Sequence, residues 1–360
     1  MKDDKGQMKT LLVTGARGTV GNYVVALAEA AGFRVIASDL SSAGVIVPVR
    51  GEVRPADLRE AHALPALVRG CDAIIHTAAQ MDASASAAEL AQTNTEAVAR
   101  LYEAAAEAGV TRFVHMSTAT LYAPGQIGAL REDAAVAPRG PYGMSKHGAE
   151  IFLRGRSDGP KWTILRAAPI YGRRGRHFAA GLLAVGPLLH LTWPWLPRLH
   201  GGPLNTMVHA EDVARALLFV LQRPDTEGET YNVSDGDVLS LGERLALTYQ
   251  AYGLRSLSFG SATPKALRAL SRVLQLGGVH QVSDFALWAA WRWVVARYRL
   301  KPALRPRLDA ESLSLMHDDL IVDSAKLRSL GWRPRFPRFR EGWLEILQWY
   351  QAEGWVPRYA

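Results

Sequence analysis

Short apolar runs alternate with amphipathic stretches through the first half of the chain. The runs are five or six residues long and rich in Val, Ile and Ala, as expected for buried strands. They occupy 10–14, 33–38, 73–77, 111–116 and 162–166. Segments with helical spacing of apolar residues lie between them, near 19–31, 57–69, 86–108 and 142–154. This alternation predicts an α/β fold, a Rossmann-like doubly wound parallel sheet.

The pattern becomes less regular after Gly172. Residues 205–213 are predicted to pass from a strand into a helix, and 230–233 to form a further strand. Segments rich in Pro and Gly, at 123–128, 137–143 and 186–203, are predicted to be loops. We therefore expect residues 1–172, with 205–235 returning to them, to form the nucleotide-binding domain. Residues 173–204 and 236–360 would form a smaller, mostly helical C-terminal region that binds substrate or acts as a lid, with a helix starting at 323–326.

Three glycines stand between the first predicted strand and the first predicted helix. Gly15 allows a tight turn, Gly18 lets the backbone approach a pyrophosphate, and Gly21 lets the helix pack closely. The N-terminus of the helix then offers N–H groups and a positive dipole to an anion. This context predicts a dinucleotide site formed by Gly15, Arg17, Gly18, Thr19, Val20 and Gly21.

Asp39 ends the second predicted strand, about 20 residues after the glycines. A carboxylate there accepts hydrogen bonds from the adenine-ribose diol and repels a 2′-phosphate, which favours NAD. The guanidinium group of Arg17 could instead pair with a 2′-phosphate, so NADP remains the alternative cofactor. A purely local capping role of Asp39 in the loop at Ser41 and Ser42 is the structural alternative.

Tyr142 and Lys146 are four residues apart, which places them on one face of a helix. A nearby ammonium group stabilises a phenolate, so Tyr142 could exchange a proton with a substrate oxygen while a nicotinamide exchanges the hydride. Ser117 and Thr118 follow a predicted strand, at the sheet edge where ligands of open α/β sheets bind. Either hydroxyl could hold the substrate oxygen, or only cap the strand end.

The composition, 48% apolar and 21% charged over 360 residues, permits a large core. Cys71 is the only cysteine, so an intrachain disulfide is excluded and we expect a reducing, cytoplasmic location. Residues 1–5 have mixed charge and lead into a strand, unlike a signal peptide. The chain has no uncharged apolar run of about 18 residues, so we expect no spanning helix.

The C-terminal part of the chain is basic and aromatic. Residues 265–360 contain 16 Lys or Arg, 9 Asp or Glu and 7 of the 10 Trp residues. No nucleic-acid recognition module is evident, so we expect no nucleic-acid partner.

Residues 285–300, after an N-cap at Ser283 and Asp284, resemble an interfacial helix at the inner membrane surface. Its predicted arc contains Leu287, Trp288, Trp291, Val294, Val295 and Tyr298. A helix packed on its own domain, or on a second subunit of a homodimer, is the alternative.

In their order along the chain, these motifs resemble the extended short-chain dehydrogenase/reductases of the NAD-dependent epimerase/dehydratase superfamily. The resemblance implies that Thr118 is the catalytic hydroxyl with Ser117 in support, and that Tyr142 and Lys146 complete the site. It also implies cofactor contacts from Asp57, Leu58, Thr77, Ala78, Ala79 and Asn94. His76 and His209 lack metal-ligand spacing and are interpreted as structural, so no metal is expected.

Within that superfamily, the motifs are most similar to the 3β-hydroxysteroid and sterol dehydrogenase branch. Ala119 and Thr120 stand where sugar-nucleotide dehydratases carry Asp-Glu, and Pro169, at the cofactor, stands where sugar-nucleotide enzymes often have Asn. Residues 323–334 also resemble that branch. Three arginines at the expected mouth of the site could bind a carboxylate or a diphosphate: Arg173, Arg174 and Arg176.

The sequence therefore predicts an NAD(P)-dependent oxidoreductase that interconverts a secondary alcohol and a ketone. We expect a small, steroid-like or otherwise lipophilic substrate, which could carry a carboxylate. The alternative is a sugar-nucleotide 4-epimerase that uses the same three catalytic residues. A cofactor-binding protein without turnover is a third class, against which the intact Thr118, Tyr142 and Lys146 argue.

Overall fold

The computed structural model describes residues 9–40, 49–81, 85–175, 178–261, 263–274, 276–307, 313 and 318–359. Its centre is a seven-stranded parallel sheet in the order β11-β6-β5-β4-β1-β2-β3. The predicted α/β class and the doubly wound parallel sheet are confirmed. The strands of this sheet are β1 (Thr10–Thr14), β2 (Arg34–Ser38), β3 (Glu52–Val53), β4 (Ala73–His76), β5 (Arg112–Thr118), β6 (Lys161–Ala167) and β11 (Glu229–Val233).

Helices cover both faces of the sheet because its strands are apolar on both sides. On one face, α1 (Gly21–Ala30) and α7 (Ala210–Leu221) bury Val24 and Leu217 in one hydrophobic cluster. On the other face, Leu67 and Leu101 are buried between the helices and the sheet. The helices on that face are α2 (Leu64–Val68), α3 (Ala87–Ala91), α4 (Ala97–Glu107) and α5 (Gly140–Arg154). A π-helical turn at Gln92–Glu96 joins α3 to α4.

A second hydrophobic cluster lies away from the sheet, around Trp343 and Tyr249. Its helices are α6 (Phe178–His190), α8 (Leu241–Ala251), α9 (Pro264–Leu274), α10 (Gly277–Tyr298) and α12 (Phe339–Ala352). Two-stranded pairings connect β7 (Ile170–Tyr171) with β10 (Val208–His209), β8 (Leu196–His200) with β13 (Ser256–Ser261), and β9 (Leu204–Asn205) with β12 (Leu239–Ser240). Val322 and Trp332, beside α11 (Ala325–Ser329), pack in the sheet's core instead.

The prediction of a loop over 186–203 was wrong. Helix α6 continues through Pro187 to His190, and β8 occupies Leu196–His200. A proline within a helix leaves the carbonyl four residues earlier without its usual donor. Here that carbonyl belongs to Leu183, and the Tyr252 hydroxyl donates to it at 2.8 Å. The donor comes from a segment 69 residues later in the chain, so the local sequence could not indicate it.

Helix α10 begins earlier than predicted and is oriented differently from the predicted interfacial helix. Its N-cap is Leu276, so Ser283 and Asp284 lie inside the helix and do not cap it. Trp291 and Val294, from the predicted arc, are buried in the second cluster. The arc therefore packs on its own domain, as in the alternative interpretation. Within the described ranges, no helix has the length and apolar content needed to cross a membrane.

Candidate active site

The turn between β1 and α1 depends on two glycines that lack room for a side chain. Gly15 has a φ of +70°, and a Cβ there would lie 2.6 Å from the Ala78 amide nitrogen. A Cβ on Gly21 would lie 2.0 Å from the Gly15 carbonyl oxygen. Gly18 is less constrained, since a Cβ there would lie 3.1 Å from the same oxygen. The turn therefore presents bare backbone at the N-terminus of α1, as a phosphate site requires.

Asn22 holds this turn from inside α1. Its side-chain amide donates to the carbonyls of Arg17 and Gly18, at 3.0 and 2.9 Å. Thr19 and Val20 lie on the same turn, and Val20 is the N-cap without a side-chain hydrogen bond. Asn22 was not foreseen from the sequence, where its position one residue after Gly21 was the available signal. The amide side chain fixes the turn before any ligand binds.

A cavity that is open to solvent lies beside the glycine turn. Asp39 stands at this cavity, and its carboxylate accepts hydrogen bonds from the Arg17 and Leu40 amides at 2.9 and 2.8 Å. The rest of the lining is small and mostly apolar, as a planar base needs. It consists of Ala16, Arg17, Asn22, Val25, Ala37, Ser38, Val49, Val53 and Pro55. Val49, Val53 and Pro55 were not foreseen, since Val53 lies in the two-residue strand β3 and the other two lie in irregular segments on either side of it.

Asp57 and Leu58, which the resemblance placed beside adenine, do not line this cavity. Both carboxylate oxygens of Asp57 accept hydrogen bonds from the Arg59 side chain, at 3.0 and 2.5 Å. Leu58 is buried in the core on the opposite face of the sheet. The cavity's apolar wall comes instead from Val53 and Pro55, immediately before them in the chain.

The segment after β4 approaches the glycine turn from the other side. The Thr77 hydroxyl donates to the Thr14 carbonyl at 2.7 Å, and Ala78 faces Gly15. Ala79 is partly exposed next to them. Gly15, Thr77 and Ala78 thus form two adjacent backbone surfaces, and the resemblance implied cofactor contacts for this segment.

Asn94 connects that segment to helix α5. Its side chain is fully buried, accepts from the Gln80 amide at 2.8 Å and donates to the Gln80 carbonyl at 2.9 Å. It also donates to the Ser145 hydroxyl at 3.0 Å, and Ser145 in turn donates to the Tyr142 carbonyl at 2.8 Å. Asn94 therefore positions the first turns of α5. These three hydrogen bonds of its side chain are to protein groups.

Tyr142 lies in the first turn of α5, close to the end of β5. A Cβ on the next residue, Gly143, would lie 3.0 Å from Pro138 Cβ and 3.8 Å from the Thr120 carbonyl oxygen, so the lack of a side chain there lets α5 pack closely on the segment that precedes it. The Thr118 hydroxyl lies 3.0 Å from the Thr120 hydroxyl and accepts from the Thr120 amide at 3.2 Å. Tyr142 and Thr118 are both partly exposed, so both hydroxyls belong to the accessible edge of the sheet.

Lys146 is 2% exposed and points into the sheet from α5. Its ammonium group donates to the Met116 carbonyl at 2.7 Å and lies 3.3 Å from His115 Nε2. Burial lowers the pKa of Lys146 to about 8, although the charge of Glu150 acts in the opposite direction. At neutral pH the group is still mostly protonated, as is required of a cation that stabilises a phenolate at Tyr142.

Two stacked histidines lie beneath Lys146. The rings of His76 and His115 are 5.3 Å apart and nearly parallel, and His76 Nδ1 lies 2.7 Å from the Thr14 hydroxyl. Burial, followed by the charge of Lys146, lowers the pKa of His76 to about 3 and that of His115 well below its usual value. Both rings are therefore neutral near pH 7, and Lys146 carries the local positive charge.

Ser117 points away from Thr118, into a buried ion-pair network. Its hydroxyl donates to Glu150 Oε1 at 2.6 Å, and Arg166 donates to Glu150 Oε2 at 2.7 Å. Burial alone would raise the pKa of Glu150, but hydrogen bonds and charge from Arg166 lower it overall. The tentative assignment of Ser117 as a substrate contact thus meets a physical obstacle, because its hydroxyl already serves this carboxylate. Glu150 and Arg166 were not foreseen, since charged residues in a helix and a strand usually face solvent.

The arginines after β7 also have partners within the protein. Arg173 pairs with Glu345 of α12, and Arg174 lies over the Trp349 ring at 5.9 Å. Burial raises the pKa of Tyr23, in α1, far above its usual value, and the charges of Arg173 and Arg174 act in the opposite direction. An anionic substrate would have to compete with Glu345 for Arg173. Arg176 lies outside the described residues, and the Pro169 carbonyl accepts from the Val208 amide at 3.1 Å.

The described residues fit a dinucleotide cofactor. Gly15 and Gly21 leave bare backbone at a helix N-terminus, and a cavity with small apolar walls ends at the carboxylate of Asp39. A bound nicotinamide would supply a hydride acceptor or donor. Tyr142, Thr118 and Lys146 of this chain would supply proton transfer, orientation of the substrate oxygen and positive charge.

Comparisons with known proteins agree with this geometry. The family model described as NAD dependent epimerase/dehydratase family matches residues 11–234. A dTDP-glucose 4,6-dehydratase of Streptomyces griseus is 30% identical over 262 residues, 68% of this chain and 78% of that protein. A 4-hydroxy-2-methyl-3-oxo-4-farnesyl-3,4-dihydroquinoline-1-oxide ketoreductase of Stigmatella aurantiaca is 25% identical over 301 residues, 81% of this chain and 84% of that protein.

The similarity extends to sterol enzymes and to solved structures. A decarboxylating sterol-4-alpha-carboxylate 3-dehydrogenase of Dictyostelium discoideum is 25% identical over 64% of this chain and 72% of that protein. The structure of a dTDP-glucose 4,6-dehydratase from Streptomyces venezuelae, with NAD and TYD bound, has a TM-score of 0.69 at 24% identity and covers 96% of this chain and 98% of that one. These matches span sugar-nucleotide and sterol enzymes, so they do not single out the sterol branch. The chain belongs to the NAD-dependent epimerase/dehydratase family of extended short-chain dehydrogenase/reductases, as its motifs predicted, and the cofactor of that family is NAD.

Proposed function

We propose that this protein is an NAD-dependent oxidoreductase that interconverts a secondary alcohol and a ketone on a lipophilic substrate. The observation that carries the proposal is the turn after β5. Thr118 is followed by Ala119 and Thr120, and its hydroxyl lies 3.0 Å from that of Thr120. This turn offers hydroxyl groups to a substrate oxygen and has no acid that could assist loss of water.

In the oxidative direction, the Tyr142 phenolate takes the proton of the substrate hydroxyl. A bound nicotinamide would supply the acceptor for the hydride of the carbinol carbon, so that a C=O double bond could form. Thr118 holds the substrate oxygen, and the Lys146 ammonium group stabilises the phenolate form of Tyr142. Reduction of the ketone is the same sequence reversed, with Tyr142 donating the proton.

The case for a lipophilic substrate rests on what lies beyond the sheet. The segment after helix α6 exposes Trp193 and Trp195. Arg173 is neutralised by Glu345, which weakens the argument for a diphosphate or a carboxylate on the substrate. Two relatives support the assignment, the farnesyl-dihydroquinoline-oxide ketoreductase and the sterol dehydrogenase.

The second candidate is a sugar-nucleotide 4-epimerase. It would use Tyr142, Lys146 and Thr118 for transient oxidation and return of the hydride, without net change of the cofactor. The observation in its favour is the similarity to sugar-nucleotide enzymes, including the Streptomyces griseus dehydratase. A dehydratase is less compatible with Ala119 and Thr120 after the catalytic hydroxyl.

The experiment compares two probes on the purified protein. A 3β-hydroxysteroid with NAD should produce NADH, followed by its absorbance, and the reaction should be lost in Tyr142→Phe. UDP-glucose should give neither NADH nor UDP-galactose. Conversion of UDP-glucose to UDP-galactose without net NADH, abolished by the same substitution, would establish the epimerase instead.

Tyr142→Phe also tests the assignment of the proton donor. The substitution removes only the phenolic hydroxyl, so kcat should fall by about 10²-fold or more while NADH still binds, as fluorescence titration can show. The matched control is Tyr23→Phe, which removes a hydroxyl from α1 on the other side of the glycine turn. If Tyr142→Phe kept more than about a tenth of the wild-type kcat, Tyr142 would not be the general acid/base.

A further inference from the structure

Helix α10 carries a second apolar face, distinct from the one that packs on the protein. Val282 is 69% exposed and Phe285 64% exposed, on the side opposite the buried Trp291. At 100° per residue, six exposed residues fall within an arc of about 120° and extend about 21 Å along the helix. These residues, the outer stripe, are Val279, Val282, Phe285, Ala286, Ala289 and Trp293.

The inner face fixes the orientation of this stripe. Trp291 and Val294 are buried in the second hydrophobic cluster, and Val295 and Tyr298 pack against it. The helix therefore cannot rotate to bury the outer stripe without exposing a tryptophan and a valine from the core. A surface helix with only one apolar face leaves polar residues on the other side. Helix α10 departs from that pattern, so its outer face must be explained separately.

The surroundings of the stripe are strongly basic. Residues 263–307 contain nine Lys or Arg and a single acid, Asp284. On the helical wheel, Arg292 borders the stripe on one side and Arg297 on the other. Their guanidinium groups lie over the neighbouring Trp288 and Tyr298 rings, at 4.8 and 5.6 Å. Both arginines are exposed, and Asp284 faces Arg305 at 3.3 Å.

Helix α9 reinforces both properties. It is connected to α10 by a short turn and packs beside it. Leu270 and Val273 of α9 are exposed, as is Leu276 in the turn. The described part of this hairpin thus combines exposed apolar side chains with a large excess of positive charge.

From this combination we infer that the α9–α10 hairpin binds the surface of an anionic lipid bilayer. Helix α10 lies parallel to the membrane plane, its outer stripe enters the boundary between headgroups and acyl chains, and the flanking arginines contact lipid phosphates. A second copy of the chain is a poorer partner, because a two-fold contact would bring the same basic surface against itself. Binding in this mode is independent of the proposed reaction and brings the substrate region to the membrane surface.

Vesicle flotation with the full-length protein tests this inference without measuring turnover. The protein should float with phosphatidylcholine vesicles that contain phosphatidylglycerol, and much less with phosphatidylcholine alone or at high salt. Val282→Ser/Phe285→Ser removes two apolar anchors and should lower the partition coefficient by about tenfold or more. Arg292→Gln/Arg297→Gln should reduce binding to the anionic vesicles only.

The matched control is Ile127→Ser, which replaces a fully exposed apolar side chain on the sheet domain and should float like the wild type. Far-UV circular dichroism verifies that each variant is folded. The inference is overturned if the wild type does not float with anionic vesicles, or if Val282→Ser/Phe285→Ser floats equally well. It is also overturned if sedimentation shows a dimer that this double variant dissociates and that anionic vesicles do not, because a second copy then covers the stripe.

Discussion

Replacing Lys146 with Met should make the protein more stable while it removes the cation beside Tyr142. The reason is the burial of Lys146 on the inner side of α5. Its pKa falls from 10.5 to about 8, chiefly because burial disfavours the charged form. Each pKa unit corresponds to about 1.4 kcal/mol, so holding the ammonium group in this position costs about 3 kcal/mol at pH 7.

Met is similar to Lys in length and carries no charge to bury, so the substitution removes that cost. It also removes the hydrogen bond from the ammonium group to the Met116 carbonyl, which contributes about 1 kcal/mol. The expected net gain is about 2 kcal/mol in the free energy of unfolding at pH 7. Activity should be lost in the same variant, because Tyr142 would no longer be stabilised as a phenolate.

The pH dependence follows from the lowered pKa. Below pH 8 Lys146 is protonated in both states and the full cost is present. Between about pH 8 and 10.5 the unfolded state binds more protons than the folded state, so this group makes wild-type stability rise with pH. Above pH 10.5 the lysine is neutral in both states and the cost is gone. The advantage of Lys146→Met should therefore shrink as the pH rises through this window.

Urea unfolding of both proteins at pH 7 and at about pH 9.5 measures these differences. Lys161→Met, at an exposed lysine on β6, is the control and should change the free energy of unfolding by less than about 0.5 kcal/mol. A folded Lys146→Met protein that is no more stable than wild type at pH 7 would refute the calculation. A gain of the same size at both pH values would show that the cost is steric, not electrostatic.

Two further predictions concern the cofactor and the second hydrophobic cluster. Asp39 should make the protein bind NADH more tightly than NADPH in fluorescence titrations, because its carboxylate stands at the cavity where a 2′-phosphate would lie; tighter binding of NADPH would mean that Arg17 outweighs it. Trp291→Ala should lower the free energy of unfolding by about 3–5 kcal/mol, since Trp291 is 2% exposed in a hydrophobic cluster. Trp293→Ala, two residues away and 55% exposed, is the control and should be nearly neutral in urea unfolding. Equal effects of the two substitutions would mean that the inner face of α10 is not part of the core.

The sequence predicted the parallel sheet well because each buried strand is a short apolar run flanked by polar or glycine-rich turns. Its predicted strand at 111–116 became β5, Arg112–Thr118, and its predicted helix at 142–154 became α5, Gly140–Arg154. Predictions failed where a side-chain hydrogen bond changes the local preference. Pro187 continues a helix because Tyr252 satisfies the freed carbonyl, and 57–60 are not helical because the Asp57 carboxylate accepts from the Arg59 amide.

The candidate site divides in the same way. Gly15, Gly21 and the Tyr142–Lys146 spacing are local signals, because each requirement acts within a turn or a helix. The contacts that hold the site together could not be predicted from the sequence, because they join segments far apart in the chain. Asn94 reaches Ser145 across 51 residues, and Ser117 reaches Glu150 across 33. Helix α10 shows another limit of prediction from the sequence. Because it has apolar residues on two faces, its sequence does not reveal which face is buried.

Helix α5 shows how the distant contacts make the local motif effective. Tyr142, Lys146 and Glu150 are spaced by four residues, so they lie on one face of the helix toward β5. Lys146 donates to the Met116 carbonyl, and Glu150 accepts from the Ser117 hydroxyl, so two successive residues of β5 hold two successive turns of α5. Because side chains alternate along a strand, Thr118 cannot join Ser117 in that buried contact and remains at the accessible edge.

The position of Tyr142 is therefore set by two contacts that take no part in the chemistry. Glu150→Gln would leave the size of the side chain and the Ser117 contact, but would weaken the pairing with Arg166, which donates to both oxygens of Glu150. Glu150 and Arg166 are in this sense positioning residues, and Lys146 is the one member of the face that both anchors the helix and supplies charge. The four-residue spacing from Tyr142 to Lys146, which first indicated catalysis, thus extends to Glu150. The contact of Glu150 with Ser117 keeps the helix in register with the strand.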